Sequence, residues 1–154
     1  MSHYYLDASA LAKRYVDEVG SDWLRAAIDP GQSPLIFSSR LSILEIVSAL
    51  VRRLREGRLT AAEYATARDA FRSDCIQEYQ IMPPTMAVVD QAADLLEPHV
   101  LRAYDATHLA TALNAQGFLA SRSYAPLTFL SADAHLNQAA AAEGLPVDNP
   151  NAHP

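Results

Sequence analysis

The chain has 154 residues and a mass of 16.8 kDa, half of them apolar and 19% charged, which bounds it to one globular domain with room for a real core. A net charge of −6 argues against a protein that holds nucleic acid by bulk attraction, and no apolar run approaches the roughly 18–20 residues of a membrane span. No basic-then-apolar segment opens the chain, so no secretory signal is expected, and the single cysteine, Cys75, rules out an internal disulfide; both fit a reducing, cytoplasmic setting.

Strand signals are short. Tyr4–Leu6 comes first, Leu35–Phe37 second, and Phe129 with Leu130 anchors a third, with weaker candidates at Gln80–Met82 and Pro146–Val147. Helical patterns fill the intervals, and alternating β and α units predict a parallel sheet with helices on both faces. The first helix is expected over Ala8–Asp17 and the second over Ser21–Ile28, ended by Asp29-Pro30-Gly31. From Arg40 to Glu56, Ile43, Val47, Leu50 and Leu54 recur at helical spacing, with Leu44 and Val51 widening the stripe. Gly57 supplies a left-handed stop, and Thr60 with Glu63 forms a capping box that opens a fourth helix to about Gln77. So short a link makes residues 40–78 an antiparallel helical hairpin. Pro83-Pro84 breaks the chain before a fifth helix, Thr85–Glu97, stopped by Pro98. A sixth is expected from Leu101 to Gln116, closed by Gly117, and a seventh from Ala134 to Glu143. Residues 1–148 read as a single domain and 149–154 as a flexible tail.

Four acids stand out. Asp7 ends the first strand and opens a helix, and Asp133, in TFLSADAHL, repeats that arrangement. Each reads equally as an N-cap, which contributes about 1 kcal/mol. In an open parallel sheet, however, both turns lie at the carboxyl ends of strands, the edge where such folds carry their sites. Asp105 falls inside an apolar arc with Leu101, Leu109 and Ala112, where a lone carboxylate costs several kcal/mol unless paired or bound to a metal; the alternative is a cap on a helix that starts late. Glu45 lies across its helix from Ile43, Val47 and Leu50, on the side of Ser48 and Arg52, so periodicity makes it a solvated residue or half of a surface pair with Arg52.

Clustered carboxylates repel one another and are pushed to protonate. A divalent cation removes that penalty. Mg²⁺ or Mn²⁺ suits hard oxygen ligands, keeps several waters, and can lower the pKa of one of them for attack on phosphorus. With no histidine–cysteine cluster, zinc is not expected.

The segments YLDASALAKRY with Asp7 and Ser9, LSILEIVSAL with Glu45, LRAYDATHLATAL with Asp105, and TFLSADAHL with Ser131 and Asp133 together resemble the PIN domain, specifically the VapC-type toxin ribonucleases of bacterial toxin–antitoxin pairs. Single matches are weak, but all four in order across about 130 residues are specific. The resemblance implies an α/β/α sandwich with a short parallel sheet and a helical hairpin, and Mg²⁺- or Mn²⁺-dependent hydrolysis of RNA phosphodiesters. It also implies a metal held by Asp7, Asp105 and Asp133, with Glu45 as the acid from the third helix and Ser9 and Ser131 orienting ligands or water. Its implied partners are an RNA substrate, a second copy of the chain, and a small antitoxin that inserts near the acids.

Other residues carry two readings each. Arg52, Arg53, Arg55 and Arg58 are a solvated face favoured by the helix dipole, or phosphate contacts. Lys13 and Arg14 stand near enough to Ser9 to be considered for substrate phosphate. His108 reads as a packing or surface residue, with substrate positioning the alternative. Cys75 reads as packing, and Glu18, Asp90 and Asp94 as surface acids. Two rival functions stay open: an inactive PIN-like binding module, and a metal-dependent nuclease or phosphatase acting on another substrate.

Overall fold

A computed structural model describes residues 1–154. Five strands form one sheet: β1 His3–Leu6, β2 Leu35–Ser39, β3 Tyr79–Met82, β4 Thr128–Leu130 and β5 Val147–Asp148. The order is β3-β2-β1-β4-β5, and every pairing is parallel. Successive crossovers run outward from β1 in both directions, so chain order reverses between β1 and β4. The weaker strand candidates are both present and form the two edges.

The helices are α1 Ala8–Leu11, α2 Ser21–Ala27, α3 Leu41–Arg55, α4 Ala61–Gln77, α5 Met86–Leu95, α6 Ala103–Ser121 and α7 Ala134–Ala142. Alternation along the strands sorts the side chains into two cores. Tyr5, Phe37 and Phe129, in register across β1, β2 and β4, face α5, α6 and α7. Leu6, Ile36 and Leu130 face the other way, onto α1, α2 and the α3–α4 hairpin. The result is the expected three-layer α/β/α sandwich with a short central parallel sheet.

The hairpin forms as its sequence requires. Gly57 adopts φ +70°, and the capping box closes with Thr60 N donating to Glu63 Oε2 at 2.7 Å and Glu63 N to Thr60 Oγ1 at 3.1 Å. Three expectations need correction. The first helix is one α-turn followed by a 3-10 turn over Ala12–Arg14, not a continuous helix to Asp17. The sixth helix passes through Gly117 and ends at Ser121, because that glycine keeps a right-handed conformation and the positive φ falls instead on Ser123 (58°). The last residues are ordered: Pro150–Ala152 form a 3-10 turn, Pro150 is buried, and the His153 ring stacks on Trp23 with centroids 4.1 Å apart. Gly20 makes this seat possible. It sits at φ +81°, and a Cβ there would lie 2.1 Å from the Pro150 carbonyl oxygen.

No helix is long and apolar enough to cross a membrane.

Candidate active site

The reversal of chain order between β1 and β4 opens a crevice at their carboxyl ends, and the two strand-end turns meet there. Asp7 is 5% exposed and follows directly on β1; its backbone N–H continues the pairing to the Leu130 carbonyl at 3.2 Å. Ser9 donates to both Asp7 oxygens, 2.7 Å to Oδ1 and 2.9 Å to Oδ2, and Ser131 donates to Oδ2 at 2.7 Å. Ser9 Oγ in turn accepts from Ala132 N at 2.9 Å, and Ser131 Oγ from Asp133 N at 3.0 Å. The two serines therefore fasten one turn to the other through a single carboxylate.

Asp7 and Asp133 also act as caps. Asp7 Oδ1 accepts from Ala10 N at 2.9 Å, and Asp133 Oδ1 accepts from His135 N and Leu136 N at 2.8 and 3.2 Å. The capping reading is thus met at both positions, and both carboxylates lie at the carboxyl ends of β1 and β4. Asp133 is exposed, and its Oδ2 makes no protein hydrogen bond. Asp105 is half-buried in the first turn of α6, whose cap position belongs to Arg102, so it does not cap a late-starting helix.

The electrostatics tie three of the acids together. Burial raises the Asp7 carboxyl above its ordinary value, opposed by the His108 ring, the Ala10 N–H and the Ser131 and Ser9 hydroxyls. Burial also raises Asp105, and the charges of Asp133 and Asp7 add to the rise against the Arg102 backbone and the His108 ring. Asp105 thus lies within the field of two further carboxylates, Asp133 and Asp7.

Glu45 departs most from its pattern. The buried stripe of α3 runs through Ser42, Ile46 and Leu50, while Leu44 is 61% exposed. Ser42 is buried because its hydroxyl pairs with that of Ser38 at 2.7 Å, so a polar residue occupies a core position and shifts the stripe beside Glu45. Glu45 is half-buried, makes no pair with Arg52, and hydrogen-bonds through Oε1 to His108 Nε2 at 2.7 Å. His108 is neither a surface residue nor mere packing. It is 1% exposed, and its Nδ1 lies 2.9 Å from the Tyr5 hydroxyl. Tyr5 is the residue beside the site that sequence reasoning passed over; for His108, weighed there as packing or surface with substrate positioning the alternative, the available signal was its three-residue spacing from Asp105, which puts both on one helix face.

A cleft of about 530 Å³ opens beside these groups, lined by Ser9, Lys13, Glu45, Arg53, Ala132 and Asn151. Lys13 is buried, with Nζ 3.0 Å from Glu18 Oε1 and 2.8 Å from the Val19 carbonyl, and Arg53 lies 2.8 Å from Glu18 Oε2. Glu18 is thus a paired acid, whereas Asp90 and Asp94 are exposed. Arg14 points away from the acids and pairs with Asp74 and Glu78 at 3.3 and 2.7 Å, fastening the 3-10 turn to α4. Lys13 and Arg14, the candidates for substrate phosphate, are thus both paired with internal carboxylates in this structure. A larger cavity, about 640 Å³, lies beyond Arg53 against the hairpin and contains none of the four acids. Burial pushes the Cys75 thiol up to about 11, which leaves it unreactive at neutral pH.

A family model described as PIN domain matches residues 4–142. The chain belongs to the PIN-domain family. Two curated ribonucleases of Mycobacterium tuberculosis, VapC45 and VapC49, are each 37% identical to this PIN domain over 109 residues, which is 71% of this chain and 74% of theirs. Among solved structures, M. tuberculosis VapC20, a sarcin-ricin loop cleaving toxin, superimposes with a TM-score of 0.60 at 18% identity, over 94% of this chain and 96% of that one.

No three histidine, cysteine, aspartate or glutamate side chains converge closely enough to enclose a metal ion. The donor set nevertheless fits one. It is made of oxygen atoms, the charges of Asp133 and Asp7 add to the rise that burial imposes on Asp105, and an Mg²⁺ or Mn²⁺ ion needs only one or two carboxylates because it keeps most of its water.

Proposed function

We propose that this PIN domain is a metal-dependent endoribonuclease and the toxin half of a toxin–antitoxin pair. The observation that carries the reading is the meeting of the Asp7 and Asp133 turns at the carboxyl edge of β1 and β4, joined through Ser9 and Ser131, in a chain 37% identical to proteins named ribonucleases.

Asp7, Asp105 and Asp133 would hold Mg²⁺ or Mn²⁺, with Glu45 binding directly or through water. The ion supplies a water of lowered pKa and relief of charge at the phosphodiester. The chain's own residues do the rest. Ser9 and Ser131 fix both oxygens of Asp7, so the central carboxylate does not rotate when substrate arrives. Asp133 is anchored through Oδ1 by the α7 N-terminus, which leaves Oδ2 without a protein partner, and Glu45, in the cleft beside Ser9, likewise leaves Oε2 unpaired. Hydrolysis leaves a 3′-hydroxyl and a 5′-phosphate. The proposed protein partners are a second copy of the chain and a small antitoxin; a cationic antitoxin side chain, above all an arginine, matches the uncompensated acids.

The test is cleavage of structured RNAs by purified protein with Mn²⁺. Cleavage is expected to stop in EDTA and to fall by at least about a hundredfold in Asp105→Asn, the scale of losing one preorganised charge at a reacting centre. Metal-independent cleavage, or full activity of Asp105→Asn, would overturn the reading.

A further inference from the structure

We infer that His108 is a positioning residue for Glu45, forming with Tyr5 a fixed relay, Tyr5–His108–Glu45, that runs from the middle of the sheet to the cleft and turns one oxygen of Glu45 toward the reacting groups. The inference rests on the ribonuclease reading above and adds to it a device that the four acids do not contain.

The chemistry of the contacts sets a direction. An ionised Glu45 only accepts hydrogen bonds, so the 2.7 Å contact requires the proton on His108 Nε2. In the neutral ring Nδ1 is then the acceptor, and the Tyr5 hydroxyl donates to it across 2.9 Å. A phenol keeps its proton near neutral pH, so the Tyr5 hydroxyl has one to give to an acceptor ring nitrogen. With the ring neutral, every donation points the same way, from Tyr5 to His108 to Glu45.

The relay is anchored at its deep end and open at the other. The Tyr5 ring stacks on Phe129 with centroids 5.4 Å apart and an interplanar angle of 5°, and meets His108 edge-on at 6.0 Å and 73°. His108 is 1% exposed and has no room to turn. At the outer end, Glu45 uses Oε1 for His108 and leaves Oε2 without a protein partner in the cleft that it shares with Ser9.

Nothing else holds Glu45. The two cations that line the same cleft, Lys13 and Arg53, are both bound to Glu18, and Arg52 makes no ion pair with it. A flexible glutamate on an exposed helix face samples several rotamers, and a buried imidazole is what reduces them to one. Histidine hydrogen-bonded behind a site carboxylate is worth about 10- to 100-fold in activity or metal affinity in comparable arrangements.

The experiment is a double-mutant cycle with a spectroscopic control on the full chain. RNA cleavage with Mn²⁺ is measured for the native protein, His108→Ala, His108→Gln, Tyr5→Phe, Glu45→Ala, and the His108→Ala/Glu45→Ala pair. His108→Ala is expected to lower kcat about 10- to 100-fold with KM changed less than about threefold. Tyr5→Phe, which keeps the ring and its stack, should lower kcat by a smaller factor, and His108→Gln should recover part of the loss through its amide donor. In the Glu45→Ala background, removing His108 should cost no more than about twofold, because a residue that acts through Glu45 has nothing left to act on. Long-range proton–nitrogen NMR of the metal-free native protein should show His108 as the Nε2-protonated tautomer, with that fixed state lost in Glu45→Ala.

Losses that multiply in the cycle, or a native Nδ1-protonated ring, would overturn the relay while leaving the ribonuclease intact. If His108→Ala does not fold, Tyr5→Phe and His108→Gln decide: native kcat in both defeats the inference. A native chain that cleaves no RNA with Mn²⁺ defeats the functional reading first, and the inference with it.

Discussion

At the scale of the residue, the carboxylates differ in what the fold does to each. Asp7 is buried yet surrounded by donors; Asp105 is half-buried, raised first by that burial and then by the charges of Asp133 and Asp7. A carboxyl held above its unfolded value, about 3.9 for aspartate, binds its proton more tightly in the folded state. Its contribution to stability is complete below that pH and is lost as pH rises through the folded value. Metal-free protein should therefore carry a growing penalty from Asp105 between about pH 4 and neutrality. Asp105→Asn removes it. In EDTA, the melting temperature of Asp105→Asn relative to the native chain is expected to rise with pH across that range. A difference that stays flat from pH 4 to 7 would mean that the Asp105 charge is already compensated. The variant that abolishes cleavage would thus be the more stable protein, which is the mark of a residue kept for chemistry.

At the scale of the element, strands and helices were legible wherever a local rule acts alone. Gly57 and the Thr60–Glu63 box mark the hairpin because the backbone needs those residues whatever packs nearby. The same holds for Asp7 and Asp133, since a strand must end and a helix begin there. Reading failed where a distant partner decides. Glu45 looked solvated because its neighbour Ser42 hides a hydroxyl in the core, and only Ser38, on another element, makes that burial acceptable. His108 gave no periodic sign of its two partners on β1 and α3. Gly117 suggested a stop, but the packing of Ala115 and Leu119 carries α6 past it.

The C-terminal turn is a fourth case. Its sequence, NPNAHP, has the composition of a loose end, and its order depends on Gly20 and Trp23 more than one hundred residues earlier. Any side chain at position 20 meets both a left-handed backbone and the Pro150 carbonyl. Gly20→Ala should therefore lower stability by about 1–3 kcal/mol, from the strained φ and the overpacked contact together. Because Asn151 lines the cleft beside Ser9 and Glu45, the same change should raise KM for RNA more than it lowers kcat. Denaturant melts and steady-state cleavage check the two halves. Native stability in Gly20→Ala would show that the turn is not seated as described.

At the scale of the whole molecule, the sheet order puts the proposed site where two halves of the domain meet. β1 with α1 and the hairpin supplies Asp7, Ser9 and Glu45; β4 with α6 and α7 supplies Asp105, Ser131 and Asp133. A divalent cation bound between them would bridge the halves and bind the folded state alone. Stabilisation then follows mass action: at a hundredfold excess over its dissociation constant, a ligand adds about 2.7 kcal/mol. For a chain of this length that corresponds to a rise in melting temperature of about 5–10 °C. Mg²⁺ or Mn²⁺ is expected to produce such a rise, EDTA to reverse it, and Asp105→Asn to reduce it while starting from a higher metal-free value. Ca²⁺, which prefers more ligands than this open set offers, should produce a smaller rise. An inactive binding module has no reason to keep that response, so a melting temperature indifferent to every divalent cation would favour the module over the enzyme. Because the measurement needs neither substrate nor antitoxin, it separates the two whichever RNA the protein cuts.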